Sequence, residues 1–238
     1  MKTNIGLESC ASFINCHTAT GGKESYLGEA PPPRWFVTIS RQGGCNAHGL
    51  GEKLAGILQA QEQPGTPPWT IFDRNLVEKV LADHHLPQRL REFMPEDRHS
   101  EIADILEELF ELHPPTETLL RQTNDTVVRL AELGGCIIIG RAANLITRRL
   151  RAGFHIRLVG SLARRAERVV QFDKLAPDAA LDRVREQDQG RARYVKKYFH
   201  TDIAAAEHYH LLINTDHFDA EQAARTISEA MLRLMPHR

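Results

Sequence analysis

The chain has 238 residues, 42% hydrophobic and 26% charged, the composition of an ordinary globular protein long enough for one α/β domain, or one domain with a lid and a tail. Its 30 basic and 31 acidic residues leave a formal charge of −1, so the net charge gives no footprint for nucleic acid and any cationic site must be a local patch. Cys10, Cys16, Cys45 and Cys136 form no C-x-x-C pair, which argues against a zinc site or disulfide framework and for a reducing compartment.

Residues 1–33 carry Gly21-Gly22 and Pro31-Pro32-Pro33 and sustain no period, so they read as a tail, either disordered or an over-long start. They hold no apolar run long enough for a signal peptide or a membrane span, which predicts a cytoplasmic protein without a membrane partner. The domain is expected over 34–238. It opens on a strand, Trp35 to Ser40, followed by Arg41-Gln42-Gly43-Gly44 and a helix whose apolar stripe is Leu50, Leu54, Ile57 and Leu58. A loop at 63–68 leads to a second strand, Trp69 to Phe72, which ends at Asp73. Leu76, Val77, Val80 and Leu81 mark a helix, and 86–133 reads as helical with breaks at Pro87, Pro95 and Pro114-Pro115; its last helix runs from Leu119 to Leu133. The unbroken apolar run Cys136 to Ile139 predicts a strand buried on both faces. Further strands are expected over Phe154 to Val159 and Tyr209 to Ile213, with helices at 141–150, 161–172 and 219–235. Such alternation predicts an α/β fold, three layers with a five-stranded parallel sheet between helices.

Four constellations could carry chemistry. The loop Ser40 to Gly49 joins a strand to a helix N-terminus, where backbone N–H groups and the helix dipole suit phosphate. It lacks the G-x-x-x-x-G-K-[ST] motif, and Lys53 lies too far into the helix to stand in for the lysine, so a plain strand-to-helix turn is the other reading. Arg141, just past a buried strand, sits where such sheets bind ligands; it either takes a phosphate or a base edge, or pairs with a helix-start carboxylate. Leu181, Val184, Asp188, Arg191, Val195 and Tyr198 share one helical face, so two opposite charges interrupt an apolar stripe. They either pair with each other or face a cleft and hold a polar ligand. Arg185, Arg193, Lys196 and Lys197 make that region basic. Arg164, Arg165 and Arg168 form either a solvated face or a nucleotide contact. The histidines, His84-His85, His208 and His210 among them, have no metal-ligand spacing, and no metal site is predicted.

Taken in order, the segments FVTISRQGG, GLGEKLA, TIFDRNLVEKV, CIIIGRAANLI, FHIRLVGSLARRAERV, REQDQGRARYVKKYF and YHLLINTD resemble the cytidylate-kinase-like family, a branch of the P-loop nucleoside monophosphate kinases, over residues 35–235. The resemblance implies phosphate transfer from ATP, with Mg²⁺, to a nucleoside monophosphate such as CMP or dCMP. It implies a monophosphate-binding region at 74–133 and a lid at about 161–200. Arg141, Arg185, Asp188 and Arg191 line up with monophosphate- and cytosine-contacting positions, and Tyr194 completes the D-x-x-R-x-x-Y run. With Asp73 these form the implied substrate set. Arg165 and Arg168 line up with arginines that approach the ATP phosphates, so Arg141, Arg165, Arg168 and Arg191 form the implied catalytic set. Arg41, Gly43, Gly44, Cys45, Asn46, Ala47 and His48 form the implied phosphate loop.

Two departures stand out. Similar proteins read Gly-Ser-Gly-Gly-Arg where this chain has Gly44-Cys45-Asn46-Ala47-His48, so Cβ atoms at Asn46 and Ala47 oppose a positive φ or crowd a phosphate. Losing one charge-assisted bond to phosphate costs roughly 1.5–3 kcal/mol, about ten- to a hundredfold in affinity. An acidic residue that often follows the arginine is Ala142 here. The alternatives to a nucleoside monophosphate kinase are a nucleotide-binding or regulatory domain without turnover, and a kinase for another small molecule.

Overall fold

The computed structural model describes residues 34–73 and 117–234. The expected tail at 1–33 and the expected helices between 74 and 116 lie outside the described residues. The chain runs β1 (Phe36–Arg41), α1 (Ala47–Gln59), β2 (Thr70–Phe72), α2 (Glu117–Leu133), β3 (Cys136–Ile139), α3 (Ala143–Ile146), β4 (Gly153–Val159), α4 (Leu162–Asp173), α5 (Pro177–Phe199), a 3₁₀ turn at Ala206–His208, β5 (Leu211–Asn214) and α6 (Ala220–Leu234). The five strands form one sheet, order β2-β3-β1-β4-β5, parallel at every pairing.

Alternation along β1 divides the core. Val37 and Ile39 point to one face, where they pack with Leu50, Leu54 and Leu58 of α1 and Ala224, Ile227 and Met231 of α6. Phe36 points to the other, against Val127 and Leu130 of α2 and Ala143 of α3. All four residues of β3 are buried, as an unbroken apolar run demands of a strand covered on both sides. Helices α4 and α5 carry a small cluster of their own, Val169, Ala180 and Val184. The chain goes outward from β1 to β2, returns to β3, then crosses to β4 on the far side of β1. The crevice beyond the C-terminal ends of β1 and β3 is therefore the place where the connections part and a ligand fits.

Two expected boundaries differ. In place of a helix over 141–150 there is only the four-residue α3, because Arg141 and Ala142 take left-handed backbone angles before it. The last strand is Leu211–Asn214 rather than Tyr209 to Ile213, because the 3₁₀ turn ends at His208 and Tyr209 caps it. Among the described residues no helix is long and apolar enough to cross a membrane.

The β1–β4 face beside the crevice buries polar groups: Thr38, Ser40, His155 and Arg157. Thr38 Oγ1 and His155 Nδ1 are 2.8 Å apart, and the His155 backbone N–H donates to His210 Nδ1 at 2.9 Å. Burial first, then the neighbouring His210, pushes His155 down to about 4 from an ordinary 6.5. Above pH 6.5 the imidazole is neutral whether the chain is folded or not. As pH falls from there towards 4 the unfolded chain takes up the proton first, so stability is lost across that window. Urea denaturation at pH 7 and pH 5 should show a drop that is smaller in His155→Gln; equal drops would remove His155 as a source of acid sensitivity.

Candidate functional site

The connection from β1 to α1 is held from three sides. Asn46 adopts φ 50°, ψ 49° at the start of α1, and its side chain accepts from the Gly49 N–H at 3.3 Å. Asparagine tolerates the left-handed region because its short amide bonds locally, so its Cβ does not prevent the positive φ found here. Cys45 and Ala47 turn inward and are buried; burial pushes the Cys45 thiol up. Gly44 lies at φ 76°, where a Cβ would strike the Arg165 carbonyl, so the position requires glycine twice over. Arg165 Nη1 donates to the Gly43 carbonyl at 3.0 Å, and Nε donates to that of Gly160 at 2.9 Å. Arg168 Nη1 donates to the Gly44 carbonyl at 3.3 Å, and Nη2 donates to that of Thr215 at 2.6 Å.

Asp188 completes the clamp. Its Oδ1 accepts from the Gly43 N–H at 2.7 Å, and its Oδ2 lies 2.7 Å from Arg165 Nη1. Arg191, one turn further along α5, stands 3.8 Å from the same carboxylate. The acid therefore pairs more closely with Arg165 than with its helical neighbour.

A cavity of about 720 Å³, counting its open mouth, lies beside this loop at the C-terminal edge of β1 and β3. Arg41 from β1, Arg141 from the turn after β3 and Arg191 from α5 line it, with Ser40, Asn144, Tyr194 and Tyr209. The turn is unusual: Gly140, Arg141 and Ala142 all have positive φ, at 83°, 54° and 53°. Gly140 leaves room for the Arg41 guanidinium, which a Cβ would strike. Left-handed geometry at a non-glycine residue is unfavourable by roughly 1–2 kcal/mol, and such strain gathers at binding sites. Burial pushes the Tyr194 phenol up to about 12 despite Arg141 nearby, so it remains a donor at neutral pH.

The model of the cytidylate kinase-like family matches residues 36–217, a span that contains the loop, the clamp and the cavity. The chain belongs to that family. A cytidylate kinase of Methanothrix thermoacetophila is 31% identical over 200 residues, covering 84% of this chain and 99% of the relative. The structure of an uncharacterized protein from Eubacterium ventriosum superposes with a TM-score of 0.62 at 16% identity, over 84% of this chain and 99% of its own, a likeness of fold.

In this member of the cytidylate kinase-like family, the residues singled out from the sequence fall into three places. Arg41, Arg141, Arg191 and Tyr194 line the cavity. Gly43, Gly44, Cys45, Asn46, Ala47, Arg165, Arg168 and Asp188 build the loop and its clamp. Asp73 and His48 stand beside Arg41, outside the cavity lining: Asp73 is 3.9 Å from Arg41 and 3.6 Å from His48. Arg185 joins none of these; it is half exposed and 3.6 Å from Asp182. Ser40, Asn144 and Tyr209 also line the pocket, with Arg157 bonded to Ser40, and none of the four was expected there from the sequence. Arg157 carried a signal, a charge inside the apolar strand FHIRLV. Asn144 carried none.

Proposed function

We propose that this protein transfers a phosphoryl group from Mg-ATP to a nucleoside monophosphate, with CMP or dCMP the first candidates. One observation carries the reading: three guanidiniums from three separate elements line a single cavity beside a strand-to-helix loop. Planar guanidiniums match phosphate oxygens bidentately, and three of them provide the charge that a dianionic acceptor and a transferring phosphoryl group need. Arg41, Arg141 and Arg191 would hold the acceptor's phosphate, while Tyr194 donates at the cavity wall. The backbone of Gly43 to His48 and the N-terminus of α1 would face the ATP phosphates. Arg165 and Arg168 would act by fixing that loop's carbonyls at Gly43 and Gly44. Helices α4 and α5 are the lid in this reading.

Mg²⁺ enters with ATP as part of the substrate. It binds through phosphate oxygens, waters and one or two carboxylates at most. Among the described residues Asp73, beside Arg41 and His48, would be the carboxylate to meet it.

A second reading has its own observation. The Gly43 N–H, which a phosphate would use, already donates to Asp188. A domain that binds nucleotide without turnover is consistent with that arrangement. Purified protein should release ADP from Mg-ATP with one member of a panel of nucleoside monophosphates, and Arg141→Ala should abolish the release. Nucleotide binding with no turnover on any member of the panel would overturn the kinase reading in favour of the second.

A further inference from the structure

Asn144 is 5% exposed, lines the cavity, and its side-chain Nδ2 has no hydrogen-bond partner. Buried amide groups are nearly always bonded, because leaving one open forfeits its hydration for nothing. Nothing among the described residues uses this donor, but Asn144 borders the cavity.

A second anomaly lies behind Ser40, another residue of the lining. Arg157, in the interior of β4, is also 5% exposed and pairs with no carboxylate among the described residues. Its Nη1 donates to Ser40 Oγ at 2.9 Å, and its guanidinium lies 5.7 Å from the centre of the Tyr209 ring. Buried cations are normally paired, since desolvation disfavours an isolated charge. The hydroxyl of Ser40 sits between this cation and the cavity. Its oxygen accepts from Arg157, which leaves its proton to be donated. Tyr209 Oη gives its single proton to the Ile203 carbonyl at 2.7 Å; at 3.3 Å from Ser40 its oxygen is only a long, weak acceptor, so the Ser40 proton can turn to a ligand in the cavity. A hydroxyl polarised by a guanidinium behind it is a stronger donor in front. Leu145, Val195 and Ile203 complete the lining, and apolar walls strengthen any such bond.

We infer that Asn144 and Ser40, the latter charged from behind by Arg157, form an oxyanion-binding contact set on the inner wall of the cavity, and that the group they take is the phosphate of the acceptor substrate. The inference rests on the proposed role of this cavity as the acceptor site. An orphan donor, a polarised hydroxyl and an uncompensated cation all require the same thing of a ligand: lone pairs and negative charge. The substrate class is a phosphate monoester, with its phosphate held by these donors as well as by the three arginines.

The test combines stability with binding. Asn144→Leu keeps the volume and removes the unsatisfied amide, so the ligand-free variant should melt about 2–4 °C above the wild type. Titration calorimetry with inorganic phosphate, CMP and cytidine on wild type, Asn144→Leu and Ser40→Ala provides the second arm. Phosphate and CMP should each weaken by roughly tenfold or more in both variants, while cytidine is unchanged. A lower melting temperature for Asn144→Leu would overturn the inference, as would equal losses for cytidine and CMP, or a wild type that binds no phosphate. Phosphate binding lost in the variants, with no ADP release by the wild type, would keep the contact set and sink the kinase reading. Unchanged KM for the acceptor in both variants, with turnover intact, would do the reverse.

Discussion

Arg165→Ala should lower stability by about 3 kcal/mol, the lower end of what is lost when one partner of a buried ion pair is removed. The guanidinium is 5% exposed and serves three acceptors: Asp188, the Gly43 carbonyl and the Gly160 carbonyl. Deleting it leaves the Asp188 carboxylate, whose side chain is 25% exposed, with the Gly43 N–H and the more distant Arg191, which is why the lower end applies. It also strands two carbonyls in the wall of the loop. For a domain of this size the loss corresponds to roughly 6–12 °C in melting temperature. Arg185→Ala is the comparison, an arginine of the same basic region whose pairing among the described residues is an exposed contact with Asp182; its effect should stay within about 0.5 kcal/mol. Arg165→Lys should recover part of the loss, since an ammonium can meet Asp188 but cannot span two carbonyls as a planar fork does. Urea denaturation of the three variants decides the matter. If Arg165→Ala and Arg185→Ala unfold alike, the clamp contributes nothing and the loop is held by packing alone.

The contrast between these two arginines shows where the sequence was legible. The sheet could be read because buried parallel strands announce themselves: Cys136 to Ile139 is an unbroken apolar run, and β1, β4 and β5 are each followed by a glycine or polar turn and a helical stripe. The cavity arginines Arg41 and Arg141 could be read because they sit at strand ends, where the fold class itself places ligands. Arg165 and Arg168 could not be separated from a solvated face, because their partners, at Gly43, Gly44, Gly160, Thr215 and Asp188, come together only in the folded sheet. The same holds for Asp188: helical spacing pointed to Arg191, and the shorter contacts went to Arg165 and to a backbone N–H from β1's loop. Asn144 lay beyond reach altogether, since an unsatisfied amide is a property of surroundings and not of a residue type.

Arg141→Ala should reduce kcat/KM for the acceptor monophosphate by about a hundredfold to a thousandfold, the usual effect of removing one charged or oxyanion-stabilising donor from a desolvated site. The backbone around it is strained: Gly140, Arg141 and Ala142 all have positive φ, Arg141 lines the cavity, and Gly140 leaves room for Arg41. Arg141→Lys should recover little, because a point charge does not reproduce the planar fork. The division of the effect carries more meaning than its size. A rise in KM with kcat unchanged would mean that Arg141 grips the monophosphate equally in the ground and transition states. Equal falls in kcat and kcat/KM would mean that its bonds form fully only as charge moves onto the transferring phosphoryl oxygens. A loss below about threefold would remove Arg141 from the phosphate site. In that case the strained turn would be strain without a ligand, because its unfavourable angles would serve no bond that the reaction uses.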